Sequence, residues 1–480
     1  MKKKILVANR GEIAIRIMRA IQELDYEAVA VYETPDKDSR HIRLASEAVL
    51  LGDGPRCDYL NIDKIIKAAK HSGACAIHPG YGFLAENPDF AKACEEAGII
   101  FIGPTSEVIS NLGNKVIARK IMAEAGIPMV PGTPNLSMGE DGVQEALTFA
   151  GKYGYPIMLK ATCGGGGRGI RLIESDEQMR KEIPVARAEA KAAFNDDSVY
   201  LEKVVINPKH VEVQIIADKE GTTIHLGTRD CSIQRRNQKL IEIAPSMIGD
   251  KELLEKICQT AVKAAKASNY TNAGTVEFLI DKDFNYYFME INTRVQVEHT
   301  VTEMITGIDI VRTQIKLALG KPLSFTQDDI QLRGHAIEMR INAEDPQADF
   351  MPEGGKTVSL YRSPGGYGVR LDGFVYQGYT IPQVYDSLLV KLTVHGFTWS
   401  ETVSRVRRCL QNFDIAGPKT TIPFYLNIVE DPDFIKGDFN TSFLDTHPQL
   451  FEYKETSNEA EKLSKLIAEI HHHGTNPYAF

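Results

Sequence analysis

The sequence predicts a multidomain fold that joins an α/β unit, with a doubly wound parallel sheet, to α+β units. Three observations carry that prediction. A short apolar run, Lys4 to Ala8, leads through Asn9-Arg10-Gly11-Glu12 into Ile13, Ile17, Ala20, Ile21 and Leu24 at helical spacing. A strand-like run ending at Lys160 is joined to another starting at Ile170 by a loop with glycine at 164 to 167. From Glu290 to Glu298, polar and apolar residues alternate with the period of a strand. A length of 480 residues suggests about three domains.

Taken in order, Glu27 to Tyr32, Gly73 to His78 and Ile99 to Ile102 repeat the strand signal, with helical segments between them. Strand and helix in alternation over the first ~110 residues imply a parallel sheet covered on both faces. No G-x-G-x-x-G follows the first strand, which disfavours a nicotinamide-dinucleotide site, and no G-x-x-x-x-G-K-[ST] occurs. His78-Pro79-Gly80-Tyr81-Gly82-Phe83-Leu84 closes one strand, at the carboxyl edge where such sheets gather ligands; a structural turn is the alternative. A smaller α+β unit is expected from 130 to 205, with strands Pro156 to Lys160, Ile170 to Ile173 and Val199 to Val205. Strands then return at Val211 to Ala217, Thr275 to Ile280 and Tyr286 to Val297. The stretch 335 to 445 is rich in strands and glycine turns, and Glu455 to His471 reads as a charged helix. The expected units are 1–113, 114–330 with a subdomain at 131–205, 331–446, and a helical tail at 447–480.

Composition excludes several classes. The chain is 43% hydrophobic and 25% charged, ordinary for a globular protein. A formal charge of -9 argues against generic nucleic-acid binding, which needs a basic surface. No run approaches the roughly 18 apolar residues of a membrane span. Only Ile5 to Ala8 follow the basic N-terminus, too few for a signal-peptide core. Cysteines at 57, 75, 94, 163, 231, 258 and 409 form no Cys-x-x-Cys pair, so reduced thiols in a cytoplasmic protein are expected. His471-His472-His473 reads as a solvated tail before a metal site.

The alternating segment carries the most chemistry. In an extended strand, Glu290, Asn292, Arg294, Gln296 and Glu298 would share one face. Carboxylate oxygens hold hard cations such as magnesium, and a guanidinium grips a planar oxyanion with two prongs. If Lys282 to Asn285 form a hairpin loop, Glu277 falls opposite Glu290. Two carboxylates so close need a cation between them, and Asn292 adds a neutral oxygen. Gly164, Gly165, Gly166 and Gly167 beside Lys160 would let backbone N–H groups cradle phosphate. Their strand–loop–strand context suits a lid over ATP. The run from Arg229 to Lys239 is either a functional basic strip or a surface patch. Arg340, inside an apolar strand pattern, must meet a carboxylate or an anionic ligand.

These segments resemble biotin carboxylase, an ATP-grasp enzyme, over residues 1 to 445. The matching stretches are ILVANRGEIAIRI, HPGYGFLAEN, FIGP, GGGGRGI, RDCSIQRRNQK, MEINTRVQVEH, VTEMITG and RINAEDP. The resemblance implies a Rossmann-like pre-ATP-grasp domain, an ATP-grasp lid and catalytic domain, and a C-terminal biotin carboxylase domain. It implies ATP, magnesium or manganese, and biotin presented as a carrier-bound substrate. It further implies a ligase that makes carboxyphosphate from ATP and bicarbonate and carboxylates N1 of biotin. By motif, Lys115, Lys160, Gly164 to Gly167, Glu202, Lys203, Val205, His210, Gln234 and Asn237 would bind ATP. Glu277, Glu290 and Asn292 match metal ligands. Lys239, Arg294, Gln296 and Val297 match a bicarbonate pocket, and Glu298 matches the base that deprotonates it. Arg340 matches the group that steadies the biotin enolate; Tyr81 and Gly82 match positions near the biotin ring. Lys239, Arg294, Glu298 and Arg340 form the expected catalytic set.

Three positions depart from the common pattern: Asn237 for His, Ile243 for Glu and Thr300 for Pro. The first two look more like the biotin-carboxylating subunits of 2-oxo-acid carboxylases, such as pyruvate carboxylase, with acetyl-CoA carboxylase the alternative. Another ATP-grasp ligase and a non-catalytic nucleotide-binding module are the remaining readings. No Ala-Met-Lys-Met motif is present, so the biotin carrier and the carboxyltransferase are expected on other chains, with this chain as a homodimer.

Overall fold

The structure, a computed structural model, describes residues 2–54, 58–162, 169–194 and 196–452. The glycines at 164 to 167 and the expected helix from Glu455 to His471 lie outside these residues.

Five parallel strands open the fold, ordered Glu47–Gly52, Glu27–Glu33, Lys4–Val7, Ala74–His78, Ile100–Phe101. The first strand lies at the centre, and helices Gly11–Glu23 and Ile62–Ser72 cover the sheet. Ile13, Ile17 and Ile21 are buried, as their spacing requires. Glu47–Gly52 escaped the sequence reading because its apolar run, Ala48 to Leu51, is too short for periodicity to tell strand from helix.

The smaller unit is a three-stranded antiparallel sheet, Ile170–Ile173, Ile157–Ala161, Val199–Lys203, backed by helices Gly139–Tyr153 and Asp176–Phe194. Its last strand stops at Lys203, two residues before the expected end at Val205.

An eight-stranded antiparallel sheet forms the body. Its order is Tyr286–Asn292, Asn272–Ile280, Lys209–Ala217, Thr223–Arg235, Gln238–Ala244, His335–Asn342, Leu388–Gly396, Val369–Gly373. Strands on both sides of residue 330 therefore share one sheet.

Two expectations about the alternating segment are corrected. The strand stops at Asn292, and Arg294, Gln296 and Glu298 lie on an irregular turn before helix His299–Thr306. Leaving the sheet lets Arg294 reach Glu86, Gln296 reach Arg229, and Glu298 reach Lys239, contacts that a straight edge strand could not make together. The hairpin loop runs from Asp281 to Asn285, one residue longer than expected. A bulge between Glu277 and Phe278 shifts the register back, so Glu277 still faces Glu290.

Candidate active site

The site is built from strand ends and the turns that follow them. At the first sheet's carboxyl edge, the Asn9 amide donates to the carbonyls of Pro79 (2.7 Å) and Tyr81 (2.8 Å). That fixes the loop carrying Tyr81 and Gly82, and the Tyr81 hydroxyl donates to Glu12. Gly82 has φ +68° and open space around its absent side chain, so its backbone conformation selects glycine.

A cavity of about 340 Å³ lies between the smaller unit and the edge of the large sheet. Lys115, Lys160, Glu202, Leu279, Glu290 and Asn292 line it. Asn114 caps the helix that starts at Lys115, accepting from Val116 and Ile117 N–H. Lys160 pairs with the Glu202 carboxylate, which also accepts from Arg119 at 2.5 Å. Lys203 and Val205 do not line the cavity; the Lys203 N–H donates to the Pro131 carbonyl and its ammonium to that of Gly154. His210 lies deeper, 2.7 Å from Glu277, with the Gln234 amide 3.5 Å from its other nitrogen. Asn237 sits exposed at a two-residue hairpin, where Arg236 (φ +49°) and Asn237 (φ +63°) form a primed turn that asparagine tolerates.

Beside this cavity the charges interlock. Glu298 is 2% exposed and stands at the N-cap of helix His299–Thr306. Its carboxylate accepts from Lys239 Nζ (2.8 Å) and Arg340 Nη2 (3.1 Å). Lys239 also donates to Glu212 (2.6 Å) and Glu277 (2.9 Å). Burial opposes the charge on Glu298, but Lys239, then Arg340 and Arg229, outweigh it and hold the carboxyl well below the usual range. Burial likewise opposes the charge on Glu277, yet Lys239 and His210 keep it ionised. Arg294 donates to Glu86 (2.9 Å) and to the Asn292 side-chain oxygen (3.2 Å). Gln296 donates to Glu277 (2.7 Å). The Val297 carbonyl accepts from Lys391.

The opposed carboxylates suit a divalent ion. Glu290 has no hydrogen-bond or ion-pair partner among the described residues. Although it opens to solvent, the surrounding protein and then the Glu277 charge push its carboxyl up, a penalty that a cation would remove. His210, Glu212 and Glu277 also converge; Lys239 serves both of those carboxylates, so at either position a cation would share Glu277 with the Lys239 ammonium.

Arg229 opens the run read as a basic strip or a surface patch; it is no surface residue but fully buried, with Glu212, Gln214, Thr275, Gln296 and Thr302 around it. Several other residues beside the site were not singled out from the sequence. Glu242 pairs with Arg340, and Glu86 with Arg294. Glu212 and Lys391 are charges inside apolar strands, the signal that marked Arg340. Ile243 is core, packed with Ile337 and Met339. The Thr300 hydroxyl meets Glu338 and lies 2.7 Å from that of Thr393.

A nucleotide-sized cavity beside opposed carboxylates, between a small antiparallel unit and a large antiparallel sheet, defines an ATP-dependent ligase of the ATP-grasp class. Residues 1–109 match the biotin carboxylase N-terminal domain, 114–326 the carbamoyl-phosphate synthase L chain ATP binding domain, and 338–446 the biotin carboxylase C-terminal domain. The chain is 51% identical over 449 residues to biotin carboxylase 1 of Bacillus subtilis, covering 93% of this chain and 99% of that one. It is 48% identical over 474 residues to the 2-oxoglutarate carboxylase small subunit of Hydrogenobacter thermophilus, covering 98% and 100%. A crystal structure of the biotin carboxylase domain dimer of that 2-oxoglutarate carboxylase, with MgADP, ADP and bicarbonate, matches at TM-score 0.89 and 49% identity, covering 95% of this chain and 100% of that one. The chain belongs to the biotin carboxylase family.

Proposed function

We propose that this chain carboxylates N1 of carrier-bound biotin, using ATP and bicarbonate, as the biotin carboxylase subunit of a 2-oxo-acid carboxylase. The observation that carries the chemistry is Glu298, buried between Lys239 and Arg340 on the turn that also bears Arg294 and Gln296. Lys239, Arg294, Gln296 and the Val297 backbone would hold bicarbonate. Its proton passes to Glu298. The freed oxygen attacks the terminal phosphorus of ATP, ADP leaves, and carboxyphosphate forms. Carboxyphosphate then breaks its C–O bond into carbon dioxide and phosphate, the phosphate takes the N1 proton of biotin, and N1 of the enolate attacks carbon dioxide, with Arg340 steadying the enolate and Tyr81 and Gly82 beside the ring.

By motif, Lys115, Lys160, Glu202, Lys203, Val205, His210, Gln234, Asn237 and the glycines at 164 to 167 are assigned to ATP; of these, Lys115, Lys160 and Glu202 line the cavity. Glu277, Glu290 and Asn292 would hold magnesium or manganese, which neutralises phosphate charge when bound. Glu298 is a poor base while Lys239 and Arg340 both grip it. Bound bicarbonate would draw those cations away and raise its proton affinity.

The acceptor assignment rests on Asn237 and Ile243 and agrees with the 48% identity to the 2-oxoglutarate carboxylase small subunit, while biotin carboxylase 1 is 51% identical. The 2-oxoglutarate carboxylase relative is a small subunit, which supports a carrier and a carboxyltransferase on other chains, and its domain is a dimer. The units 1–113, 114–330 and 331–446 are proposed as functional layers, since one sheet crosses residue 330. Among the described residues no helix is long and apolar enough to cross a membrane.

ADP release measured with and without bicarbonate and free biotin tests the reading. Release that depends on both supports it; release indifferent to both sinks it.

A further inference from the structure

Lys391 takes no part in the chemistry above, yet its ammonium is fully buried in strand Leu388–Gly396. A charge so placed is costly unless its surroundings answer it. Across the sheet it faces Arg340 on one side and Asp372 on the other. Asp372 is occupied by Arg370, which donates to it at 2.5 Å. Lys391 Nζ instead donates to the Val297 carbonyl at 2.7 Å and lies 3.3 Å from Glu12 Oε1. Glu12 in turn accepts the Tyr81 hydroxyl.

The Val297 carbonyl is a telling partner. Val297 precedes Glu298, the N-cap of helix His299–Thr306, so its carbonyl lies outside the helix's own hydrogen bonds. The helix takes its first carbonyl from Glu298, which accepts from the Val301 N–H at 3.3 Å. The Val297 carbonyl is answered from the sheet, by Lys391. That contact fixes the peptide plane between Val297 and Glu298, from which the Glu298 side chain departs. Lys239 and Arg340 hold the far end of that side chain; Lys391 holds its root.

We propose that Lys391 is a positioning residue: it sets the turn that carries Glu298 and ties that turn, through Glu12, to the loop of Tyr81. The inference rests on the assignment of Glu298 as the base. A double-mutant cycle on the full chain separates the two. Lys391→Met should lower kcat and raise the KM for bicarbonate, together at least ~10-fold, the scale of a slightly misplaced catalytic group, with the KM for MgATP unchanged. In a Glu298→Gln background the same change should cost less than about 2-fold, because both act through one side chain. Losses that multiply, or a KM for MgATP that rises in step, would overturn the proposal. If Glu298→Gln is impaired while Lys391→Met keeps the parental kcat, Lys391 alone is refuted. If Glu298→Gln turns over normally, the base assignment fails with it.

Glu12→Gln supplies a second arm should Lys391→Met fold poorly. It leaves the Val297 contact in place and weakens the tie to Tyr81. The KM for free biotin should rise at least ~3-fold, the worth of one weakened charge-assisted contact, with bicarbonate-dependent ADP release intact. An unchanged KM for biotin would refute the link to the Tyr81 loop.

Discussion

Around the nucleotide cavity, Lys115 and Glu290 line open space, and Glu290 has no partner among the described residues. Around Glu298, by contrast, Lys239, Arg229, Glu212 and Glu277 are each bound to at least one of the others. The first region is arranged to receive charges that ATP and a metal bring. The second has satisfied its charges internally, because buried ions without partners would cost several kcal/mol each. The nucleotide side therefore presents Lys115 and Glu290 to its ligand, while Lys160 starts paired with Glu202. Under the proposed assignment, the Glu298 side would exchange an internal ion pair for one with substrate, which would couple release of Glu298 to arrival of bicarbonate.

The contrast breaks first at Arg229. Arg229→Met leaves Glu212 to Lys239 alone and strips Gln214, Thr275, Gln296 and Thr302 of a buried donor, and should cost about 3–5 kcal/mol of stability in urea unfolding. A loss under about 1 kcal/mol would mean that the network does not hold the fold. Next comes Glu298→Gln, which should cut bicarbonate-dependent turnover at least ~100-fold while the KM for MgATP holds. Near-normal turnover would remove Glu298 from its role. On the open side, Lys160→Met should raise the KM for MgATP about 10-fold, the worth of one charge-assisted phosphate contact. Its unfolding midpoint should barely move; a shift as large as that of Arg229→Met would erase the difference between the regions.

The smallest effect concerns the carboxylates beneath Arg340. Burial pushes Glu338 up to about 8 and Glu242 up to about 7. A carboxyl raised in the fold favours folding while protonated, so its contribution is full below about 4.5 and is lost as pH rises through about 8. Glu338→Gln should therefore lose less stability than the parent between pH 6 and pH 9. Parallel slopes in urea midpoints at the two pH values would show that Glu338 does not titrate there.

Much of this was legible in the sequence. The helix after Gly11, the strands on either side of the glycine loop and the alternating strand as far as Asn292 follow local periodicity, and motif order marked the residues proposed for the site. The opposition of Glu277 and Glu290 came out as expected although two details differed. The longer loop and the bulge offset each other by one residue. Glu212 and Lys391 carried the signal that marked Arg340, a charge in an apolar strand, yet sequence alone does not say which partner such a charge finds.

What the sequence by itself determined is the set of elements, the order of the motifs and the residue types able to hold phosphate, metal and a planar anion. These depend on neighbours a few positions apart. Only the tertiary structure decided that the alternating segment leaves the sheet at Asn292 and which charges neutralise one another. Lys239 meets Glu212, Glu277 and Glu298, and Lys391 meets Val297, from segments far apart in the chain. Such pairings follow from strand order and burial. A buried charge takes the partner that topology brings within reach, and no local pattern records that choice.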